Sequence, residues 1–223
     1  MLNKYLLALI FVLAGTSESW GDLLFGNTIT GTNPNTSNPY TIGQSVPSGV
    51  SASGIGRGIG INGTNTNDRY NATGWDETVL EANTYFTFSI TPDTGLQINF
   101  VDFQVTLQRS NNSISNFSFR SSLDSYTTNI GVLNYPGTGT AATTQTVSLS
   151  SSSFQGIQSN TEFRLFSWGA ASALNTLSVN DFAFNGSITA VPEPTSIAFL
   201  LFTGCRYFIA ECRRGSRQRS WKI

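Results

Sequence analysis

Apolar and polar residues alternate with a period of two in several short stretches of the chain. The clearest run contains Phe86, Phe88 and Ile90, which are separated by Thr87 and Ser89. Similar runs contain Leu96, Ile98, Phe117, Phe119, Val147, Leu149, Phe163, Leu165, Leu177, Val179, Phe182 and Phe184. Because successive side chains of a strand point to opposite faces, these runs predict short strands with one buried face. Turn signals separate them and long helical periodicity is absent, which predicts an all-β, antiparallel β-sandwich.

The alternation changes phase at two places. The run that ends at Phe100 has its apolar residues at even positions, whereas the run from Val101 to Leu107 has them at odd positions. A second change lies between Val179 and Phe182. One extra residue in a strand moves the following side chains to the other face. We therefore expect a bulge or bend at both places.

Glycine occupies every second position from Gly54 to Gly60. A strand of this kind has one bare face, which a neighbouring backbone or a ligand can approach closely. A phosphate-binding loop is not indicated, because no strand-then-helix pattern surrounds the glycines and no Lys-Ser/Thr pair follows them. A glycine-rich strand packed under the sheet is the favoured interpretation, and a ligand site is the alternative.

The first 21 residues have the features of a secretory signal peptide. Lys4 supplies the positive charge, and the segment Tyr5 to Ala14 is apolar. Ser19 and Gly21 are small residues suited to cleavage before Asp22. The alternative is an N-terminal core helix or an uncleaved anchor, but about ten apolar residues are short for a membrane span.

The C-terminal segment 191–223 combines a proline motif, an apolar run and a basic end. Prolines fix φ and remove backbone donors, so Val191-Pro192-Glu193-Pro194 should be a stiff, extended spacer. A helix over 195–212 would measure about 27 Å, slightly less than the ~30 Å core of a bilayer, and Arg206 interrupts its apolar run. The basic residues expected to stay on the cytoplasmic side are Arg213, Arg214, Arg217 and Arg219.

This order of motif, apolar run and arginine cluster resembles the PEP-CTERM sorting signal of exported bacterial proteins. The resemblance implies processing by an exosortase, a membrane transpeptidase, with Pro192-Glu193-Pro194 as the motif and 195–212 as a transmembrane helix. A proline linker before an ordinary amphipathic helix is the alternative. The chain then divides into a signal peptide (1–21), an ectodomain (22–190) and a sorting signal (191–223).

The ectodomain itself resembles a recurrent domain of PEP-CTERM and other exported bacterial proteins. The resemblance covers most of 22–190 and implies a jelly-roll-like sandwich, but it implies no activity. The stretches that carry it are Gly54-Ile55-Gly56-Arg57-Gly58, Asp68-Arg69-Tyr70-Asn71-Ala72-Thr73-Gly74-Trp75, Phe119-Arg120-Ser121-Ser122-Leu123-Asp124, Phe163-Arg164-Leu165-Phe166-Ser167-Trp168-Gly169-Ala170 and Asn180-Asp181-Phe182-Ala183-Phe184-Asn185-Gly186.

Charge and composition exclude several kinds of chemistry. The ectodomain has ten acidic residues against five arginines, a net charge of −5, and no lysine. An acidic domain disfavours nucleic acid, which binds basic surfaces. The chain has no histidine, which rules out a Ser-His-Asp triad and histidine metal sites. Both cysteines, Cys205 and Cys212, lie in the C-terminal segment, so no disulfide is expected in the ectodomain.

Seven ectodomain residues are candidates for ligand contact, because aromatic rings stack on sugars and arginines make bidentate polar contacts. They are Arg57, Arg69, Tyr70, Trp75, Arg120, Arg164 and Trp168. The alternative is that the tryptophans are core residues and the arginines pair with acids. Asp181 resembles positions that hold structural calcium in some jelly rolls, and a solvated turn aspartate is the alternative. We expect no other cofactor.

Two classes of function follow for the ectodomain. The first is an exported structural or adhesive protein of the cell envelope or extracellular matrix, inserted in the inner membrane through its sorting signal. The second is a carbohydrate-binding module for extracellular polysaccharide. We expect no enzymatic activity, and a glycosidase with paired carboxylates is a distant third. An exposed Trp75 or Trp168 favours binding, and two fully buried tryptophans favour the structural role.

Overall fold

The computed structural model describes residues 21–110, 114–135 and 140–192. Within these residues the chain forms strands and two single-turn 3-10 helices, Ser122–Asp124 and Ser152–Phe154. The strands are β1 (Asp22–Thr28), β2 (Gln44–Ser45), β3 (Val50–Arg57), β4 (Asn62–Gly63), β5 (Tyr70–Thr73), β6 (Tyr85–Pro92), β7 (Leu96–Arg109), β8 (Asn116–Ser121), β9 (Thr143–Ser148), β10 (Thr161–Trp168) and β11 (Leu177–Ala190).

Two antiparallel sheets contain all of these strands. The larger sheet is built around β11, which pairs with β7 on one edge and with β1 and β5 on the other. Strand β9 extends it beyond β7, β2 beyond β1, and β4 beyond β5. The smaller sheet has the order β3-β6-β10-β8. The all-β, antiparallel prediction is therefore confirmed.

A cluster of phenylalanine rings joins the two sheets. Phe103 of the larger sheet stacks on Phe119 of the smaller one, with ring centroids 4.5 Å apart. Phe163 and Phe184 meet across the same interface at 4.9 Å, and all four side chains have no exposed surface. Aromatic pairs at these distances add to the stability that their buried area already provides. The alternating residues of both sheets thus form one continuous core.

The first change of phase in the sequence is a β-bulge at Val101. Asn185 of β11 pairs with Asp102, and the next residue, Gly186, pairs with Phe100, so Val101 is extra. The carbonyl of Val101 instead accepts the backbone N–H of Leu149 at 2.8 Å. The predicted change of face at this point is confirmed.

The second change of phase is a bulge at Asn180 in the neighbouring strand. Val179 pairs with Leu107 and Asp181 pairs with Thr106, so Asn180 is the extra residue in the ladder with β7. Its carbonyl accepts the N–H of Ile29 at 3.1 Å. Because each strand has one extra residue, β7 keeps its alternating apolar side chains buried on both sides of its bulge, from Ile98 to Leu107, and β11 does so from Leu177 to Phe184.

The glycine-rich segment, which begins in β3 and continues into the loop after it, is packed against neighbouring backbone. A Cβ atom added to Gly54 would lie 2.3 Å from the carbonyl oxygen of Tyr40, and one added to Gly58 would lie 2.3 Å from that of Asn83. Both distances are far below any real contact. The packing interpretation is confirmed at these two positions.

Two predicted segments fall largely outside the described residues. They are the signal peptide, of which only Gly21 is described, and the sorting signal, of which only Val191 and Pro192 are described. In the described part of the chain, neither helix has the length or the apolar character needed to cross a membrane.

Candidate functional site

Arg57, the last residue of β3, connects a loop to the sandwich through side-chain hydrogen bonds. Its guanidinium donates to the carbonyls of Asn35 and Ser37 at 3.2 and 3.1 Å, and to that of Asn71 at 3.1 Å. The residue is buried. Burial lowers the pKa of Arg57, and the hydrogen-bonded carbonyls supply the acceptors that its charge requires. Its donors are thus directed at the protein's own backbone.

Tyr70 lies directly under this guanidinium. The guanidinium carbon of Arg57 is 3.7 Å from the centre of the Tyr70 ring, and the tyrosine hydroxyl donates to the carbonyl of Ser37 at 3.0 Å. Burial raises the pKa of Tyr70 to about 12, although the nearby Arg57 charge acts in the opposite direction. Tyr70 has no exposed surface, so it offers no ring face to a ligand.

Trp75 is a core residue. It has no exposed surface, its indole N–H donates to the carbonyl of Ala72 at 2.8 Å, and its ring meets the edge of Phe86 at 5.2 Å. A buried tryptophan whose only donor is satisfied has the geometry of a structural residue. We therefore assign Arg57, Tyr70 and Trp75 to the support of the fold instead of to ligand contact.

The outer face of the smaller sheet brings Arg120 and Arg164 together. They are direct cross-strand partners on β8 and β10, an arrangement in which like charges repel. The Arg164 side chain forms a 2.6 Å ion pair with Glu162. Arg120 donates to the hydroxyl of Ser118 at 2.8 Å and to the carbonyl of Tyr126 at 2.9 Å. Arg164 is therefore paired with a carboxylate, while Arg120 directs its donors to neutral oxygen atoms.

Two tyrosine rings enclose Arg164. Its guanidinium carbon is 4.2 Å from the ring centre of Tyr85 and 3.9 Å from that of Tyr126. Burial raises the pKa of Tyr126 to about 12, and the charge of Glu162 and a hydrogen bond to it act in the same direction. The two tyrosine rings cover the faces of the Arg164 guanidinium on which a planar ligand would have to stack. The contact with Tyr126 instead holds the loop that carries this residue.

The remaining two candidate contact residues lie apart from these groups. Trp168 ends β10 and is half-buried. Arg69 lies just before β5, where its Nε donates to the carbonyl of Asn67 at 3.4 Å in an exposed setting. The seven candidates are thus divided among separate places and do not line one common pocket.

Asp181 lies beside the bulge in β11 and accepts a hydrogen bond from the Thr106 hydroxyl at 3.3 Å. It borders a hollow of about 270 Å³ with Asn27 and Ser45. Within the described ranges, no group of three or more acidic, histidine or cysteine residues is placed to hold a metal ion. Asp181 therefore makes a hydrogen bond within the larger sheet. The described residues supply no group of acidic ligands that would support the calcium prediction.

A larger cleft of about 830 Å³ opens elsewhere, between the edge strands β8 and β9. None of the seven contact candidates predicted from the sequence lines it. One wall is formed by the end of β8 and the residues that come after it in the chain, and the other by the end of β9 and the residues that come after it. Each wall includes residues of the short 3-10 helix that succeeds its strand. The residues that line it are Ser121, Leu123, Asp124, Thr128, Asn129, Ile130, Ser148, Ser150, Ser151, Ser153 and Phe154. The serine-rich stretch after β9 was the available signal in the sequence.

The chain matches no protein-family model, and no curated protein matches it.

Proposed function

We propose that this chain is an exported structural or adhesive protein of the cell envelope or extracellular matrix, sorted through its C-terminal Pro-Glu-Pro signal. The ectodomain is, on this proposal, a jelly-roll-like sandwich without enzymatic activity. Its partners are an exosortase-type transpeptidase and the inner membrane, in which the C-terminal segment inserts before processing. The order of the residues at the two ends of the chain suggests this pathway.

The observation that best supports the proposal is the position of the first and last strands among the described residues. Strand β1 begins at Asp22, the residue that follows the expected signal-peptide cleavage, and β11 ends at Ala190. The N–H of Val191 still donates to the carbonyl of Gly95 at 2.9 Å, and the next residue, Pro192, has no N–H to donate. Among the described residues, the first and last strands thus lie just inside the bounds that this proposal gives to the ectodomain.

The experiment is to determine both ends of the protein isolated from its native envelope. Intact-mass analysis should show a chain that begins close to Asp22 and lacks the arginine-rich end. A Pro192→Ala/Pro194→Ala variant should accumulate with residues 195–223 attached, whereas a Ser187→Ala variant, changed at an exposed site on β11, should be processed normally. Wild-type chains that end at Ile223 in a processing-competent host would contradict the proposal.

The absence of enzymatic activity is tested on the same purified protein. Incubation with polysaccharides should release no reducing sugar. A reproducible release that disappears when one acidic residue is replaced would overturn this part of the proposal and favour a glycosidase.

Carbohydrate binding is the second candidate function, and the cleft between β8 and β9 favours it. Its size lies within the range of about 300–1,000 Å³ that is usual for ligand pockets. Its walls carry hydroxyl, amide and carboxylate groups beside a few apolar side chains. Such a surface suits a polyhydroxylated ligand.

A further inference from the structure

The cleft between β8 and β9 places a carboxylate acceptor and an amide donor on the same wall. Asp124 and Asn129 are both exposed residues of the loop that follows β8. A sugar hydroxyl is at once a donor and an acceptor. A carboxylate and an amide on one wall can therefore engage different hydroxyls of the same carbohydrate.

The protein itself orients the Asn129 amide. Its Oδ1 accepts the N–H of Phe119 at 2.8 Å and the hydroxyl of Ser118 at 3.3 Å. Within the described part of the chain, its Nδ2 has no hydrogen-bond partner. Because the oxygen is fixed against β8, the two amide protons remain available to a ligand in the cleft.

Asp124 is held in a similar way and keeps its charge. Its carboxylate oxygens accept the N–H groups of Thr127 at 3.3 Å and Thr128 at 2.9 Å. Slight burial acts to raise the pKa of Asp124, but the hydrogen bonds from Thr128 and Thr127 outweigh it and lower the pKa. A carboxylate has about four acceptor positions, so acceptor capacity remains for a ligand.

The opposite wall carries serine hydroxyls. The Oγ atoms of Ser148 and Ser150 lie 2.9 Å apart. Ser151 precedes the short helix without capping it through its side chain, and Ser153 lies within that helix. In the part of the chain that the structure describes, neither the Ser151 nor the Ser153 hydroxyl has a partner. They can both donate to and accept from a ligand.

Charge and apolar surface narrow the chemical class of the ligand. Asp124 is the one ionisable residue among those described that line the cleft, so no cation there would attract a uronate, sulfate or phosphate. Leu123 is 40% exposed at the rim and Phe154 reaches the floor from the core. They supply an apolar contact for the C–H face of a sugar ring.

We propose that this cleft is a binding site for a neutral polysaccharide, in which Asn129 donates to sugar hydroxyls, Asp124 accepts from them, and the serines of the opposite wall complete the contacts. This assignment rests on the second candidate function. It assigns the second candidate function to a site that contains none of the seven candidate contact residues, and it names the class of ligand.

The test uses the full-length chain, purified in a detergent without a sugar headgroup. Retention is compared in gels that contain neutral glucans, mannans or galactans and in gels that contain polyuronates or sulfated polysaccharides. We expect retention by at least one neutral polymer and none by the anionic ones. Stronger retention by anionic polymers overturns the proposal.

Two pairs of variants locate the site. Asn129→Asp keeps an oxygen for Phe119 but removes both amide donors, and should weaken binding about tenfold. Asn62→Asp adds the same charge on β4, outside the cleft, and should bind normally. Ser153→Trp should block the cleft, whereas Ser51→Trp on the opposite edge strand β3 should not. Thermal unfolding of all four variants checks that they are folded.

The remaining outcomes separate this inference from the proposed functions. Retention that Asn129→Asp and Ser153→Trp leave unchanged overturns the cleft as the site, while carbohydrate binding stands at another surface. If no neutral polysaccharide retains the wild type, both the cleft assignment and the second candidate function fail. The proposed export and sorting are judged separately, from the mass of the processed chain.

Discussion

The ring of Tyr126 covers the guanidinium of Arg164, whose central carbon lies 3.9 Å from the ring centre. Arg164 belongs to a strand of the smaller sheet, and Tyr126 belongs to the loop that carries Asp124 and Asn129. The backbone carbonyl of Tyr126 also accepts a 2.9 Å hydrogen bond from Arg120. The arginine cluster on the outer face of the sheet therefore fixes the loop that forms one wall of the cleft.

The burial of Tyr126 beside the Glu162 carboxylate predicts how it responds to alkaline pH. Its pKa is raised to about 12, above the value of about 10 for an unfolded tyrosine. The neutral phenol is favoured in the folded state, so its stabilising contribution is complete below about pH 10 and is lost as the pH rises through about 12. The free energy of unfolding of a Tyr126→Phe variant should therefore fall less steeply than that of the wild type over this interval.

Absorbance of tyrosinate checks the assignment directly. Tyr126 and Tyr70 should ionise late in the folded protein, and in denaturant all tyrosines should ionise close to pH 10. Tyr126→Phe and Tyr70→Phe should each remove one late group, and the double variant should remove both. A late group that persists in the double variant would show that the raised pKa belongs to another tyrosine.

The backbone contacts of Arg57 predict a large difference between two arginine positions. Arg57→Lys replaces a planar fork that reaches several carbonyls by a single ammonium group. It should lower the free energy of unfolding by about 2–4 kcal/mol. Arg69→Lys, at the partly exposed position before β5, should change it by less than about 0.5 kcal/mol. Denaturant unfolding measures both, and similar values would contradict the role given to Arg57.

The bulge at Val101 predicts which side chains of β7 support the core. Phe103 has no exposed surface, so Phe103→Ala should lower the free energy of unfolding by about 3–5 kcal/mol. The adjacent Gln104 points to the outer face and is partly exposed, so Gln104→Ala should cost less than about 1 kcal/mol. Chemical denaturation compares the two, and equal losses would mean that the strand has another register.

Two glycines with positive φ allow the cost of backbone strain to be measured separately from the cost of steric contact. Gly54 has φ +84° and Gly31 has φ +68°, so an alanine at either position should cost about 1–2 kcal/mol in strain. Only at Gly54 would the new Cβ meet a carbonyl oxygen, at 2.3 Å, since nothing lies within 4 Å at Gly31. Gly54→Ala should therefore be clearly more destabilising than Gly31→Ala in thermal unfolding. Equal melting temperatures would show that the loop moves aside.

The all-β, antiparallel fold was predictable from the sequence because several strands, such as β6, alternate buried and less buried residues. The two changes of phase even located the bulges at Val101 and Asn180, since a bulge must shift the apolar residues by one position. The close approach of other backbone segments to Gly54 and Gly58 was likewise indicated by the missing side chains. These features are local, so the residues that cause them are neighbours in the chain.

The candidate site was not predictable in the same way. An arginine or tryptophan in a sequence suggests contact with a ligand, yet the acceptors that satisfy Arg57 come from residues twenty positions away, such as Ser37. The cleft forms where edge strands of two different sheets face each other, and no short motif encodes that meeting. Asn129 and Ser153 become neighbours of one cavity only after both sheets have packed.

Strand β11 has a mechanical consequence for a protein that is held by its C-terminal end. Its ladder with β7 extends from Leu177 to Ala190, and its other edge is bonded to β5 and then to β1. Suppose that Ala190 is pulled while the opposite end of the sandwich is held. Strand β11 can then be removed from the sheet only by sliding past its neighbours. Many backbone hydrogen bonds must then break together instead of one after another. Under the proposed C-terminal attachment, the strand next to the attachment point would thus resist extraction through its whole ladder with β7.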